Sequence, residues 1–213
     1  MAHEVVEEIV ASNEWRLNEF AKIRMNSANV EDSLWWRLSI PMIYAHWEGY
    51  VVSSLRILIE HLNELQLQPE RVPTKLIVLG LGDCYRSLSG KQSLVQRITF
   101  TDRFKGLLRT TITFEKKINT KSNLRSEVLQ ELCDIYGFDF QQFRGVTGDI
   151  NRLVNIRNCI AHGENSILPS ADNVKKYIDS VIAAADILRN EIEGFLAREE
   201  YFAPTETAQS APA

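Results

Sequence analysis

The chain has 213 residues, 45% hydrophobic and 24% charged, with a net charge of −4, the balance of one ordinary water-exposed domain or a domain with an elaboration. No apolar run approaches the roughly 18 residues that span a bilayer, and the opening Met1-Ala2-His3-Glu4 begins no signal peptide. Cys84, Cys133 and Cys159 are widely spaced without a CxxC, which argues against a zinc site or disulfide framework and fits reduced, buried thiols in the cytoplasm.

In chain order, Val6, Ile9, Val10, Leu17, Phe20 and Ala21 recur at helical spacing and predict a helix from Glu4 to about Met25. Asn29-x-x-Asp32 and Ser33 compete to cap a second helix that runs to about Gln66, with Trp36, Ile40, Ile43, Trp47, Val51, Leu55, Leu58 and Leu62 as its stripe. Pro41 inside it predicts a kink. Pro69 and Pro73 end the element.

Residues 74–122 are less regular. The apolar run Leu76–Leu79 fits helix or strand equally. Gly80 and Gly82 lack the third glycine and the βαβ setting of a dinucleotide loop. Ile98–Thr101 and Thr111–Phe114 alternate at period two, the pattern of two short strands of a β-hairpin.

Helical order returns after Ser122 or Asn123, the candidate caps of a helix over 124–136 stopped by Gly137. A further helix spans Asp149 to His162 and stops at Gly163. Ser170 or Asp172 caps a last helix carrying Val174, Ile178, Val181, Leu188, Ile192 and Phe195. The expectation is an all-α up-and-down bundle of four to five long helices, a single domain over 1–202 with a basic insertion at about 69–122. The polar tail 203–213 reads as disordered.

Charge is unevenly spread. Between Lys91 and Arg125 nine basic residues face only Asp102 and Glu115, a surplus of seven that leaves −11 for the remainder. Arg103, Lys105, Arg109, Lys116, Lys117 and Lys121 are therefore candidates for an RNA backbone, and a solvated basic surface is the competing reading.

The chemistry concentrates in Arg157-Asn158-Cys159-Ile160-Ala161-His162-Gly163. Arg offers a phosphate a fixed fork of donors, and His moves a proton near its ordinary pKa of about 6.5. At about 100° per residue, Asn151, Asn155, Asn158 and His162 fall on one polar stripe. Asn costs helix propensity, on the order of 0.5 kcal/mol each relative to Ala, so the stripe is expected to face something polar and specific. Arg157 and His162 diverge by about 140°, which favours a composite site between two copies over one within a chain. Composition and spacing leave a structural role open: an Arg paired with a carboxylate, and a His at terminal carbonyls.

This run resembles the Arg-x4–6-His motif of the HEPN superfamily. Residues 40–50, Ile-Pro-Met-Ile-Tyr-Ala-His-Trp-Glu-Gly-Tyr, and 120–139, from Thr-Lys-Ser-Asn-Leu to Gly-Phe-Asp, resemble its MAE_28990/MAE_18760-like family. The resemblance implies an all-α bundle that dimerises with Arg157 and His162 at the cleft, and a metal-independent endoribonuclease of a toxin–antitoxin or anti-phage system. It implies that Arg157 binds and polarises the scissile phosphate, that His162 acts as general base or acid, that Asn158 orients one of them, and that the product is a 2′,3′-cyclic phosphate. No cofactor or metal is implied, and the partners are RNA, a second copy and a cognate antitoxin or other regulator. His46, Glu48 and Tyr50 read as packing residues of the second helix or as supports of the Arg/His pair. A non-catalytic RNA- or nucleotide-binding module and a helical dimerisation module are the alternative functions.

Overall fold

The structure is a computed structural model that describes residues 2–29, 33–82, 92–164 and 167–204. Seven α-helices, and no strands, occur among these residues: α1 (Ala2–Asn29), α2 (Ser33–Glu64), α3 (Thr74–Leu81), α4 (Leu94–Leu107), α5 (Ser126–Tyr136), α6 (Arg144–Ala161) and α7 (Ala171–Ala197). The all-α expectation holds, and none of the described helices is long and apolar enough to cross a membrane. The chain divides into two compact units, Met1–Leu58 with Lys117–Gly194, and Ile59–Lys116 with Phe195–Ala213.

The first unit holds α1, α5, α6 and most of α2 and α7. The apolar stripe of α2 is its centre, with Ile40, Ile43, Trp47, Val51 and Leu55 essentially inaccessible. Helical spacing puts these residues on one face. Phe143, Ile150, Leu153 and Val154 around α6 and Val174, Ile178 and Leu188 of α7 are buried likewise. Pro41 lies within α2 and does not end it.

Several boundaries differ from the sequence expectation. Helix α6 begins at Arg144 rather than Asp149. Asp149 lies inside the helix, where its carboxylate accepts from the Ser180 hydroxyl at 3.1 Å and meets Lys176 Nζ at 2.7 Å. Neither Ser122 nor Asn123 caps α5, which starts at Ser126. Its first N–H is accepted by Asn151 Oδ1 of α6 at 2.9 Å, a cap supplied from another helix. Ser170 does cap α7, in a reciprocal pair with Asn173. The Asp32 alternative at the start of α2 lies outside the described residues.

The second unit corrects the hairpin. Ile98–Thr101 lies in α4, whose N-terminus is a capping box between Ser93 and Gln96, and Thr99 and Thr101 return their hydroxyls to the carbonyls four residues back. Thr111–Phe114 is extended and alternates as expected, with Ile112 and Phe114 buried. It makes no ladder, because its bonds go to the loop after α2 and to a side chain. Ile112 N–H donates to Leu67 O at 2.9 Å, and Phe114 N–H to Asn63 Oδ1 at 2.7 Å. The ambiguous run Leu76–Leu79 is helical, as α3. There Gly80 is required by packing, since a Cβ would lie 2.5 Å from Ile112 Cγ2. At the C-terminal end Ala203 N–H donates to Arg71 O at 2.7 Å; residues 205–213 of the expected disordered tail lie outside the described residues.

Candidate functional site

The motif occupies the last two turns of α6, in the first unit. The helix ends in a Schellman arrangement: Glu164 N–H donates to Cys159 O at 2.9 Å and Gly163 N–H to Ile160 O at 3.0 Å. Gly163 takes the left-handed φ of 78° that this ending requires. His162 is the terminal residue, its N–H bonded to Asn158 O and its side chain exposed. Arg37 of α2 holds the chain just beyond, donating to Glu164 O at 2.9 Å.

Arg157 is half-buried and held on three sides. Its Cζ lies 3.9 Å from the centroid of the Tyr44 ring, Nη1 donates to Asn158 Oδ1 at 2.8 Å, and Nη2 donates to Ser122 O at 3.2 Å. Asn158 is fixed in turn by its Nδ2, 3.3 Å from Asn123 Oδ1. A cation over an aromatic face is worth up to about 2 kcal/mol when desolvated, more than an exposed ion pair contributes. No carboxylate is among these partners, so among the described residues the guanidinium is positioned by neutral groups.

The loop that supplies Ser122 is itself strained. Lys121 and Ser122 both have left-handed φ, 54° and 52°, a conformation costing about 1 kcal/mol or more for residues with a Cβ. Surrounding bonds hold it there. Thr120 donates its hydroxyl to Glu48 Oε1 at 2.6 Å, Leu124 N–H donates to the Tyr44 hydroxyl at 2.9 Å, and Trp47 Nε1 donates to Leu124 O at 3.3 Å. Burial raises the Tyr44 pKa, against the lowering effect of the Leu124 N–H, and the nearby Glu48 charge raises it further, so the phenol stays protonated.

The sequence candidates separate on this geometry. Asn158 meets Arg157. Asn151 caps α5 through Ser126 instead, and Asn155 is exposed, so the Asn stripe does not face one partner. Glu48 supports the loop beside Arg157 through Thr120. His46 and Tyr50 line a different cavity with Arg16 and Arg189. His46 is 3% exposed, between the Trp15 and Phe20 rings, with Glu19 2.9 Å from Nε2. The sequence does not single out Tyr44, Ser122 or Asn123 for this site, although Tyr44 sits at i−4 from Glu48 and i−3 from the core residue Trp47, a spacing that puts it beside both.

The basic candidates also divide. Arg103, Lys105, Arg109 and Lys116 belong to the second unit, and Lys117 and Lys121 to the first. Lys116 pairs with Glu60 and Lys121 with Glu131, each at 2.6 Å. Lys91 lies outside the described residues. Of the thiols, Cys133 is buried and pushed up to about 12, chiefly by burial, while Cys159 is only half-buried; Cys84 lies outside the described residues.

Comparison with protein families matches RiboL-PSP-HEPN over residues 11–194. The chain belongs to this HEPN family. The superfamily is the one the motif indicates; the match is to RiboL-PSP-HEPN and does not itself support the narrower MAE_28990/MAE_18760-like resemblance. No curated protein and no solved structure matches the chain.

Proposed function

We propose that this HEPN protein is a metal-independent endoribonuclease that uses Arg157 and His162. The observation that carries the reading is the Arg157 guanidinium, aimed by Tyr44, Asn158 and Ser122 without a carboxylate, one turn before an exposed His162. Cleavage by 2′-hydroxyl attack needs a group that stabilises charge on the phosphate and a group that moves a proton. Arg157 takes the first role and His162 the second; Asn158 fixes the guanidinium.

The two side chains leave the helix in different directions, and a second copy completes the site. In support, Leu34, Leu38 and Met42 form an exposed apolar stripe at i, i+4 and i+8 of α2, on the helix whose Arg37 grips the end of the motif. A homodimer across this stripe covers it and brings two motifs together. The protein then acts in the cytoplasm as a toxin or anti-phage effector, restrained by an antitoxin or other regulator.

A second reading has its own support. Two Arg157 nitrogens already have partners within the chain, which suits a cleft that binds RNA without cutting it. The test is incubation of total RNA with purified protein in EDTA. Wild type should yield fragments ending in 2′,3′-cyclic phosphate, and His162→Ala should not. Equal cleavage by His162→Ala sinks the nuclease assignment, and salt-sensitive RNA binding without product selects the second reading.

A further inference from the structure

The outer face of α6 runs from His162 back to the start of the helix. Arg144, Gly145, Gly148, Arg152, Asn155 and His162 are all exposed, and at about 100° per residue they fall within an arc of about 100°. Arg144 stands about five whole turns before His162, so the two are in line, about 27 Å apart along the axis. Arg152 lies between them, about 15 Å from His162. Neither arginine has a side-chain hydrogen bond or ion pair among the described residues.

The one carboxylate on α6, Asp149, is turned to α7 by Ser180 and Lys176. Arg152 also acts on Tyr177 of α7, whose pKa burial raises and the guanidinium lowers; a neutral phenol does not offset its charge. Past the helix end the Glu164 carboxylate accepts from the Cys159 thiol, so the positive stretch is Arg144 to Asn155. The glycines on this face have no explanation within the chain. A Cβ at Gly145 or Gly148 would meet nothing within 4 Å among the described residues, and glycine weakens a helix. What it permits is close approach of a ligand to the backbone.

We propose that the exposed face of α6 is the track of a single RNA strand, with phosphates on Arg144 and Arg152, the strand passing close over Gly145 and Gly148, and Asn155 bonding it on the way to His162. The inference rests on the reading of Arg157 and His162 as an RNA site and names its substrate as single-stranded. One row of cations follows one backbone, whereas duplex RNA is held across its grooves.

Fluorescence anisotropy of the full chain with a single-stranded RNA, 2′-O-methylated throughout so that no 2′-hydroxyl can attack, measures binding apart from cleavage. Arg144→Gln and Arg152→Gln should each weaken binding several-fold and lower the slope of log Kd against log salt by about 0.7, the share of one single-strand phosphate contact. Arg56→Gln, which removes the same charge from an exposed position of α2, should change neither. Gly148→Leu keeps every charge and should weaken binding at least as much as either α6 arginine variant. All four substitutions fall at exposed positions, so folding is retained. No binding, an unchanged slope in either α6 arginine variant, an equal loss in Arg56→Gln, undiminished binding by Gly148→Leu, or tighter binding of the duplex overturns the track. Wild type that cuts unmethylated RNA while the α6 variants bind undiminished loses this inference alone. Wild type that binds through both arginines and cuts nothing loses the nuclease reading alone.

Discussion

The Arg157 guanidinium rests over the Tyr44 ring, and the hydroxyl of that same ring accepts the Leu124 N–H. One buried side chain therefore does two things. It holds the motif's cation from α2, and it pins the loop whose Ser122 carbonyl binds that cation from the other side.

Tyr44→Phe and Tyr44→Leu should separate these contributions. The Phe variant keeps the ring but leaves the buried Leu124 N–H without its partner, a loss of about 1–3 kcal/mol of stability read in urea melts. Its single-turnover RNA cleavage should fall less than tenfold. The Leu variant removes the ring as well, and losing a cation–π contact of about 2 kcal/mol should slow cleavage by a further tenfold or more. A Leu variant that cleaves as fast as the Phe variant would show that the platform does not position Arg157.

His162 gives the opposite signature. Its side chain is exposed at the end of α6, so His162→Ala should change stability by less than about 0.5 kcal/mol. Loss of a general acid or base should nevertheless cost at least about a hundredfold in cleavage. Thermal melts beside a cleavage assay check both halves; a large melting shift with intact activity assigns His162 to structure.

How far the sequence carries is visible in these residues. Periodicity places α1, α2, α5 and α7 because each has one apolar face, and the Gly163 stop follows from backbone geometry. The start of α6 is illegible because Gly145 and Gly148 lie in its first turns, where glycine reads as loop. The alternation of Thr111–Phe114 correctly tells which side chains are buried. It cannot tell that the backbone bonds to Asn63 and Leu67 rather than to a strand. In the candidate site, the motif locates Arg157 but not its supports. Tyr44, Ser122 and Asn123 are remote in sequence, and only the folded α2 and the 120–124 loop bring them to it.

The Asn stripe yields a prediction of its own. Asn151 caps α5 through the Ser126 N–H and hydroxyl, and a lost helix cap costs about 1 kcal/mol. Asn151→Ala should lower stability by that amount in chemical denaturation. Asn155 is exposed on the same stripe, and Asn155→Ala should be neutral or slightly stabilising, because Ala is the better helix former. Equal losses at the two positions would restore a single shared role for the stripe.

The buried His46 makes stability depend on pH in a defined direction. Desolvation lowers its pKa below the ordinary 6.5; Glu19 opposes this, and Arg16 adds to it. The folded state thus disfavours the imidazolium that the unfolded chain accepts. Stability from this group is complete above about pH 6.5 and is lost as pH falls through that value towards the lower folded pKa, with a slope of at most about 1.4 kcal/mol per pH unit. His46→Gln cannot take up the proton. Between pH 7.5 and 5 the wild-type unfolding free energy should therefore fall more steeply than that of His46→Gln. Parallel curves in urea titrations across that range would mean that the Glu19 carboxylate fully offsets the burial of His46.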